Sequence, residues 1–337
     1  MIPSYNYAQY LTEAVMSAAD QPEADVVIVD NGSTDASPSI GEHLAGLEEN
    51  VRFVRHETND GIISSFNRCR AEIRGDYAML LCADDLLTPG SLGRAVEVLD
   101  ALPNVGLVYG TALDFSSADE VDLDSLPSAT LDVRVHGGDE WVERLCRFGR
   151  NPIRTPEAVM RSSIAAAAGG YEPACPYTSD LNLWLRMAAR ADVAYLRGPV
   201  QALFRQHGVN AGAAYPHNSL AELEQRWTAF ELFLESLGDD ARVRRWEPLA
   251  RRTIADDARY SASRMFVVGD AEADDVLAFA DRLHPGGDGP VERASWSLRR
   301  RLGPARVRWM PGFQVRPVLH RAQTMIADRR RDRLGIG

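Results

Sequence analysis

The sequence predicts an α/β protein built on a mixed, mostly parallel sheet flanked by helices, followed by a C-terminal helical extension. Three observations predict it. Short strand-like segments, β-branched at 24–30, 51–55 and 105–110 and free of charge and proline at 77–82, recur along the chain. Segments of helical period lie between them, and the turns after the strands are rich in Gly, Asn and Asp. Parallel strands need long crossovers, usually helices, so this alternation implies βαβ units whose ligand-binding loops gather at the carboxyl ends of the strands.

Residues 1–11 read as the end of a first strand and the loop after it, with almost no strand in front. That strand is therefore expected to be truncated. Tyr10, Leu11, Ala14, Val15 and Ala18 follow at three- and four-residue spacing, a stripe that packs on a sheet. The strand at 24–30 ends in Asp30-Asn31-Gly32-Ser33-Thr34-Asp35, where Gly permits close approach of a ligand and Ser or Asp can cap the helix that runs to about Leu47. The same segment also serves as a plain strand-to-helix turn. After the strand at 51–55, Asn59-Asp60-Gly61 breaks the chain, and a helix carries Phe66, Asn67 and Arg70.

Residues 77–82 are free of charge and proline and predict a buried strand, at whose end Asp84 and Asp85 stand together. Two hard oxygen ligands leaving a sheet edge suit Mg²⁺ or Mn²⁺, and a solvated turn is the competing reading. Thr88-Pro89 has the pattern of a helix N-cap and first-turn proline, opening a helix over 91–102. A strand at 105–110, an acidic exposed loop at 116–128, a helix at 139–148 and a strand ending near Met160 come next. The loop 169–180 leads to a helix carrying Leu183, Trp184, Leu185 and Met187. Asp180 stands where either a capping residue or a carboxylate at a pocket mouth belongs. Strands at 193–196 and 200–205 are closed by Gln206-His207, and a lone histidine in such a place has no role fixed by pattern alone.

Ser219 is expected to cap a long helix bearing Leu220, Leu223, Trp227, Phe230 and Leu234, with more helix to about Arg282. The Pro- and Gly-rich stretch from His284 reads as a linker. Beyond it, residues 291–337 hold 12 of the 37 basic residues and 3 of the 48 acidic ones, within a chain whose net charge is -11. Every basic residue is arginine. An acidic body argues against a nucleic-acid binder, whereas the Arg-rich tail suits an anionic membrane surface or packing on the acidic body. Cys69, Cys82, Cys146 and Cys175 fit no zinc pattern and read as reduced thiols. With no membrane-length apolar run and no export signal at residue 1, a cytoplasmic location is expected, peripheral at the inner membrane face if the tail binds lipid.

Taken together in order, Ile2-Pro3-Ser4-Tyr5-Asn6, Val29-Asp30-Asn31-Gly32-Ser33-Thr34-Asp35, Asn59-Asp60-Gly61 with Asn67, Gly75-Asp76-Tyr77 leading to Ala83-Asp84-Asp85, Thr178-Ser179-Asp180 before Leu183-Trp184-Leu185-Arg186, and Phe204-Arg205-Gln206-His207 resemble the inverting glycosyltransferases of family 2. The resemblance covers roughly residues 1–215 and implies the GT-A fold, in which the truncated first strand is central. It implies that Pro3, Tyr5 and Asp30 hold the base and ribose of a nucleotide-diphosphate-sugar, within a donor site that also takes in Asn6, Gly32, Ser33, Asn59, Gly61, Asn67, Ala83 and Asp84. It further implies that Asp84, with Asp85 and His207, binds Mg²⁺ or Mn²⁺, and that Asp180 is the catalytic base toward a saccharide or glycolipid hydroxyl. Cys82 stands where the family usually has the first Asp of its metal motif. Ser179 replaces a frequent acidic residue, and Phe66 a frequent Arg.

The expected organisation is a GT-A domain over 1–215, a helical extension over 216–283, a linker over 284–292 and the Arg-rich tail over 293–337. The expected activity belongs to the synthesis of a polysaccharide, glycolipid or other glycoconjugate. Two competitors remain at this level: a non-catalytic sugar-nucleotide-binding scaffold, and a nucleotidyltransferase. The second is disfavoured because no basic, Gly-rich loop for a triphosphate is present.

Overall fold

The structure, a computed structural model, describes residues 1–117, 121, 126, 129–208, 214–287, 289–308 and 335. These fall into two compact units, one within residues 1–141 and 151–210, the other within 142–150 and 211–337.

The first unit opens with β1 (Ile2–Ser4), α1 (Ala8–Ala19), β2 (Val26–Asn31), α2 (Ser37–Leu47), β3 (Val51–His56) and α3 (Ile62–Ala71). The three strands pair in parallel, order β1-β2-β3, with Ser4 opposite Asp30 and Asp30 opposite Arg55. The carboxyl ends of β1 and β2 therefore share one edge, as the βαβ pattern requires. The amino group of Met1 donates to Met79 O at 2.9 Å and Leu81 N donates to Met1 O at 3.0 Å, so residues 79–81 run beside the start of β1.

β4 (Tyr77–Met79), β5 (Leu86–Leu87), α4 (Ser91–Ala101), β6 (Val105–Phe115), β7 (Asp132–His136), α5 (Gly138–Phe148), β8 (Val159–Arg161), α6 (Ser162–Ala168), α7 (Ser179–Ala188) and β9 (Asp192–Arg205) follow, α5 crossing from the first unit into the second. Six of these strands form a second sheet, in which β6 and β9 run parallel and the remaining pairs antiparallel. The core includes Leu11, Val15, Ile28, Leu81, Leu99, Val108, Ala194 and Leu196, contributed by both sheets and by the inward stripes of α1 and α4.

Three local expectations need correction. The strand read over 77–82 ends at Met79; Leu80 and Leu81 stay buried, but the chain turns as Asp85 N donates to Cys82 O. Thr88 caps nothing: its hydroxyl donates to Val200 O at 2.6 Å, and Gly90 occupies the N-cap of α4. The two strands read at 193–196 and 200–205 are one strand. Gly198-Pro199 looks like a turn in sequence, yet Gly198 at φ +117 forms a bulge, where an added Cβ would lie 2.5 Å from Thr130 O.

In the second unit lie α8 (Leu220–Ser236), α9 (Val243–Val268), α10 (Ala273–Leu283), α11 (Pro290–Leu302) and α12 (Pro304–Val307). Ser219 caps α8 as expected, its Oγ accepting from Glu222 N at 3.2 Å. Phe233 of α8 stacks on Trp246 of α9 with centroids 5.9 Å apart. Arg226, buried, pairs with Glu222 at 2.9 Å and Asp257 at 2.8 Å, so a charge inside this unit is satisfied by two carboxylates. Among the described residues no helix is long and apolar enough to cross a membrane. Most of the Arg-rich tail, from residue 309 on, lies outside the described residues.

Candidate active site

The end of β2 is fixed by side chains that bond neighbouring backbone. Asp30 is fully buried; its Oδ2 accepts from Ser33 N at 3.0 Å and lies 3.9 Å from Arg55 Nε. Asn6, in the left-handed region at φ 56, donates its N–H to Ser33 Oγ at 2.9 Å, and its Oδ1 accepts from Thr34 N at 2.8 Å. Gly32, at φ +75, packs so tightly on Thr58 that a Cβ would meet the Thr58 carbonyl carbon at 2.8 Å. Asn31 donates to Asn59 Oδ1 at 2.8 Å, and the same oxygen accepts from Gly61 N at 2.9 Å. Arg68 ties this corner together through Asn31, Thr58 and Asp60. Pro3 is buried beside Val29, and Tyr5 is exposed just beyond β1.

The second acidic turn is held differently. Asp84 and Asp85 are buried, and Ala83 before them is buried too. His207 Nε2 lies 2.8 Å from Asp84 Oδ2, and the imidazole stacks on Tyr10 with centroids 5.4 Å apart. Arg205 clamps the turn from below: its backbone N donates to Asp85 Oδ1 at 2.9 Å, its Nε to Asp84 O at 2.8 Å and its Nη2 to Glu13 at 2.7 Å. The guanidinium lies between the rings of Tyr10 and Phe115, at 4.5 and 4.3 Å. Burial, and then the neighbouring Asp84 charge, push the Asp85 carboxyl well above the ordinary range. Tyr7 joins the two turns: its N–H donates to Ser37 Oγ at 3.1 Å, while burial and the charge of Asp84 push its phenol up.

Asp180 sits in the first turn of α7, not at its N-cap, which is Thr178. Its Oδ2 accepts from Asn151 Nδ2 at 2.8 Å, and its Oδ1 from Leu181 N at 2.7 Å. Burial pushes its pKa up to about 6 against those hydrogen bonds. Burial, and then the charges of Asp85, Asp84, Cys69 and Asp180, push the Cys82 thiol well above its ordinary value.

The sequence-predicted residues thus divide. Asp84, Asp85 and His207 come together, with Cys82 beside them, and Asp180 is held by Asn151 and the Leu181 N–H at the start of α7. Asn67 is braced elsewhere: its amide donates to Tyr171 O at 2.9 Å and accepts from Tyr171 N at 2.8 Å. Sequence reading gave no role to Arg68, Asn151 or Arg205 because their partners are remote in the chain. Among the described residues, Ser4 Oγ, Asp30 Oδ1 and Asp85 Oδ2 at the two strand ends are buried with no hydrogen-bond partner, which suits a site completed by a ligand.

Comparison with known proteins bears on the family and the fold. Residues 1–167 match the model of glycosyl transferase family 2. Among curated relatives, an uncharacterised protein of Mycobacterium tuberculosis is 26% identical over 226 residues, covering 61% of this chain and 66% of that one. An uncharacterised glycosyltransferase of Haemophilus influenzae is 23% identical over 261 residues, covering 72% of this chain and 76% of its own. Among solved structures, Staphylococcus aureus TarS 1-349 in complex with UDP superposes with a TM-score of 0.60 at 16% identity, over 85% of this chain and 80% of TarS 1-349, which shows a shared fold. The same TarS fragment in complex with UDP-GlcNAc superposes equally well, TM-score 0.60 at 15% identity, covering 88% of this chain and 90% of that one. Family match and shared fold lead to one conclusion: the chain carries a GT-A domain, whose residues 1–167 belong to glycosyl transferase family 2.

Proposed function

We propose that this glycosyltransferase moves a sugar from a nucleotide-diphosphate-sugar to the hydroxyl of a saccharide or glycolipid acceptor, with inversion at the anomeric carbon. The carrying observation is a buried acidic turn, Asp84 with Asp85 and His207, together with a separate carboxylate, Asp180 in the first turn of α7, whose pKa is raised to about 6. That TarS was crystallised with UDP and UDP-GlcNAc supports a nucleotide-diphosphate donor here.

The donor set fits a hard divalent ion, because Asp85 Oδ2 is buried and unpartnered next to a second carboxylate. Asp84, Asp85 and His207 would hold Mg²⁺ or Mn²⁺, which supplies positive charge against the departing nucleoside diphosphate. Asp30, Ser33 and Asn6 provide a preformed pocket wall for the nucleoside. Asp180 takes the acceptor hydroxyl's proton as that oxygen bonds to the anomeric carbon on the face opposite the breaking bond to phosphate, which inverts the centre. Asn151 and the Leu181 N–H hold the carboxylate in place while it works. The same reading places the enzyme in the cytoplasm, with its Arg-rich tail against an anionic inner membrane face.

A panel of nucleotide-sugars tested with Asp180→Asn decides the matter. Turnover should fall by about 10²–10⁴-fold with donor affinity kept. Wild-type turnover should rise with pH to a plateau, with its midpoint about 6, since the proton must leave Asp180 before it can act as a base. An Asn variant that turns over normally, or a protein that binds no activated sugar, overturns the proposal.

A further inference from the structure

The geometry points to Cys82 Sγ as a direct ligand of the divalent ion, which makes this a mixed sulfur and oxygen site that favours thiophilic ions, Mn²⁺ over Mg²⁺ and Co²⁺ or Cd²⁺ over both. The inference rests on the metal reading of the acidic turn given above. Cys82, Asp84 and Asp85 each offer a ligand atom, and these atoms lie within 4.8 Å of one another, the only such group of three among the described residues. An ion bound at about 2.3 Å from sulfur and about 2.1 Å from oxygen brings the two ligand atoms to about 3–4 Å, so binding needs at most a slight closure of the group.

Two further observations point to an ion and away from packing. Asp85 uses Oδ1 to accept from Arg205 N, while its Oδ2 is buried and unpartnered in a residue only 1% exposed. Arg205 thus fixes the carboxylate and leaves one oxygen for something that is missing from the protein itself. Cys82 is partly exposed, whereas Cys69, Cys146 and Cys175 are buried.

The chemistry follows from ligand softness. Mg²⁺ prefers oxygen and keeps its water, so a sulfur in its shell is a poor exchange; Mn²⁺ tolerates it better, and Co²⁺ and Cd²⁺ favour it. On binding, the S–H bond breaks, a sulfur–metal bond forms and one proton passes to the buffer, with no change in oxidation state.

Titration of the full, chelator-stripped chain with Co²⁺ tests this without any turnover. Wild type should show a near-ultraviolet sulfur-to-cobalt charge-transfer band that saturates at one ion. Cys82→Ser and Cys82→Asp should lose the band while calorimetry still detects Co²⁺, and Cys146→Ser and Cys175→Ser should keep it. Cys82→Asp should also lower the ratio of Cd²⁺ to Mg²⁺ affinity by about tenfold or more. Circular dichroism confirms that each variant is folded. Co²⁺ binding to wild type without the band, or a band that survives in folded Cys82→Ser, overturns the sulfur ligand and leaves the metal reading intact. A wild-type chain that binds no divalent ion at all overturns both.

Discussion

The two acidic strand ends solve opposite problems. At the end of β2, Asp30 is the buried carboxylate, and Ser33, Asn6, Asn31, Asn59 and Arg68 brace the surrounding loop through hydrogen bonds. That loop is braced by its own hydrogen bonds, and it leaves Asp30 Oδ1 and Ser4 Oγ buried without a partner. After β4, Asp84 and Asp85 are buried side by side with one guanidinium and one imidazole near them. Charge there is concentrated and only partly offset, and Asp85 answers by favouring its proton. One end is shaped for a ligand, and the other is electrically unfinished.

If that contrast is right, substitutions at the two ends should separate cleanly. The largest effect is expected from Asp84→Asn, which should lower ion affinity and cut turnover by about 100-fold or more, measured by calorimetry and donor hydrolysis. Asp30→Asn should instead raise the donor KM about tenfold, with ion affinity unchanged. Equal loss of ion binding in both would erase the distinction.

Next is Arg205→Met. Loss of the buried cation strands the Asp84–Asp85 pair, and since its partner Glu13 is half exposed, a cost of about 2–3 kcal/mol is expected in denaturant unfolding. Added divalent ion should restore part of it, because the ion replaces the missing positive charge. Gly32→Ala should cost about 1–3 kcal/mol through its positive φ and the contact with Thr58, and no ion should rescue it.

A smaller effect tests Asp180. Its folded-state pKa is raised from 3.8 to about 6, so the native chain holds more protons than the unfolded chain between those values, and stability falls as pH rises through that window. Above it, a charged and poorly solvated carboxylate is retained at a cost. Asp180→Asn should therefore raise Tm by a few degrees at pH 7 and leave it nearly unchanged at pH 4.

Much of this architecture was legible because its signals are local. A β-branched run followed by Asp30-Asn31-Gly32, and an apolar run followed by Asp84-Asp85, each declare a strand end within ten residues. Asp180 and His207 were found through ordered motifs. What stayed hidden depends on distant pairing. Arg205 is 121 residues from the Asp84 carbonyl that it holds, and Asn151 reaches Asp180 across 29 residues, so no periodicity could have joined them. Gly198-Pro199 misled because a bulge and a turn use the same residue types, and only the pairing partners of β9 distinguish them.

That bulge carries a consequence for how such a sheet can evolve. From Gly198 the strand runs seven residues, about 23 Å, to Arg205. From Ala202 on, the pairing with β6 is regular through Arg205, so slipping that end by one position would move Phe204 into the place of Arg205 and turn the guanidinium outward. An insertion between the two points would carry the guanidinium off the Asp84 carbonyl, so the β-strand acts as a ruler whose zero mark is a single glycine.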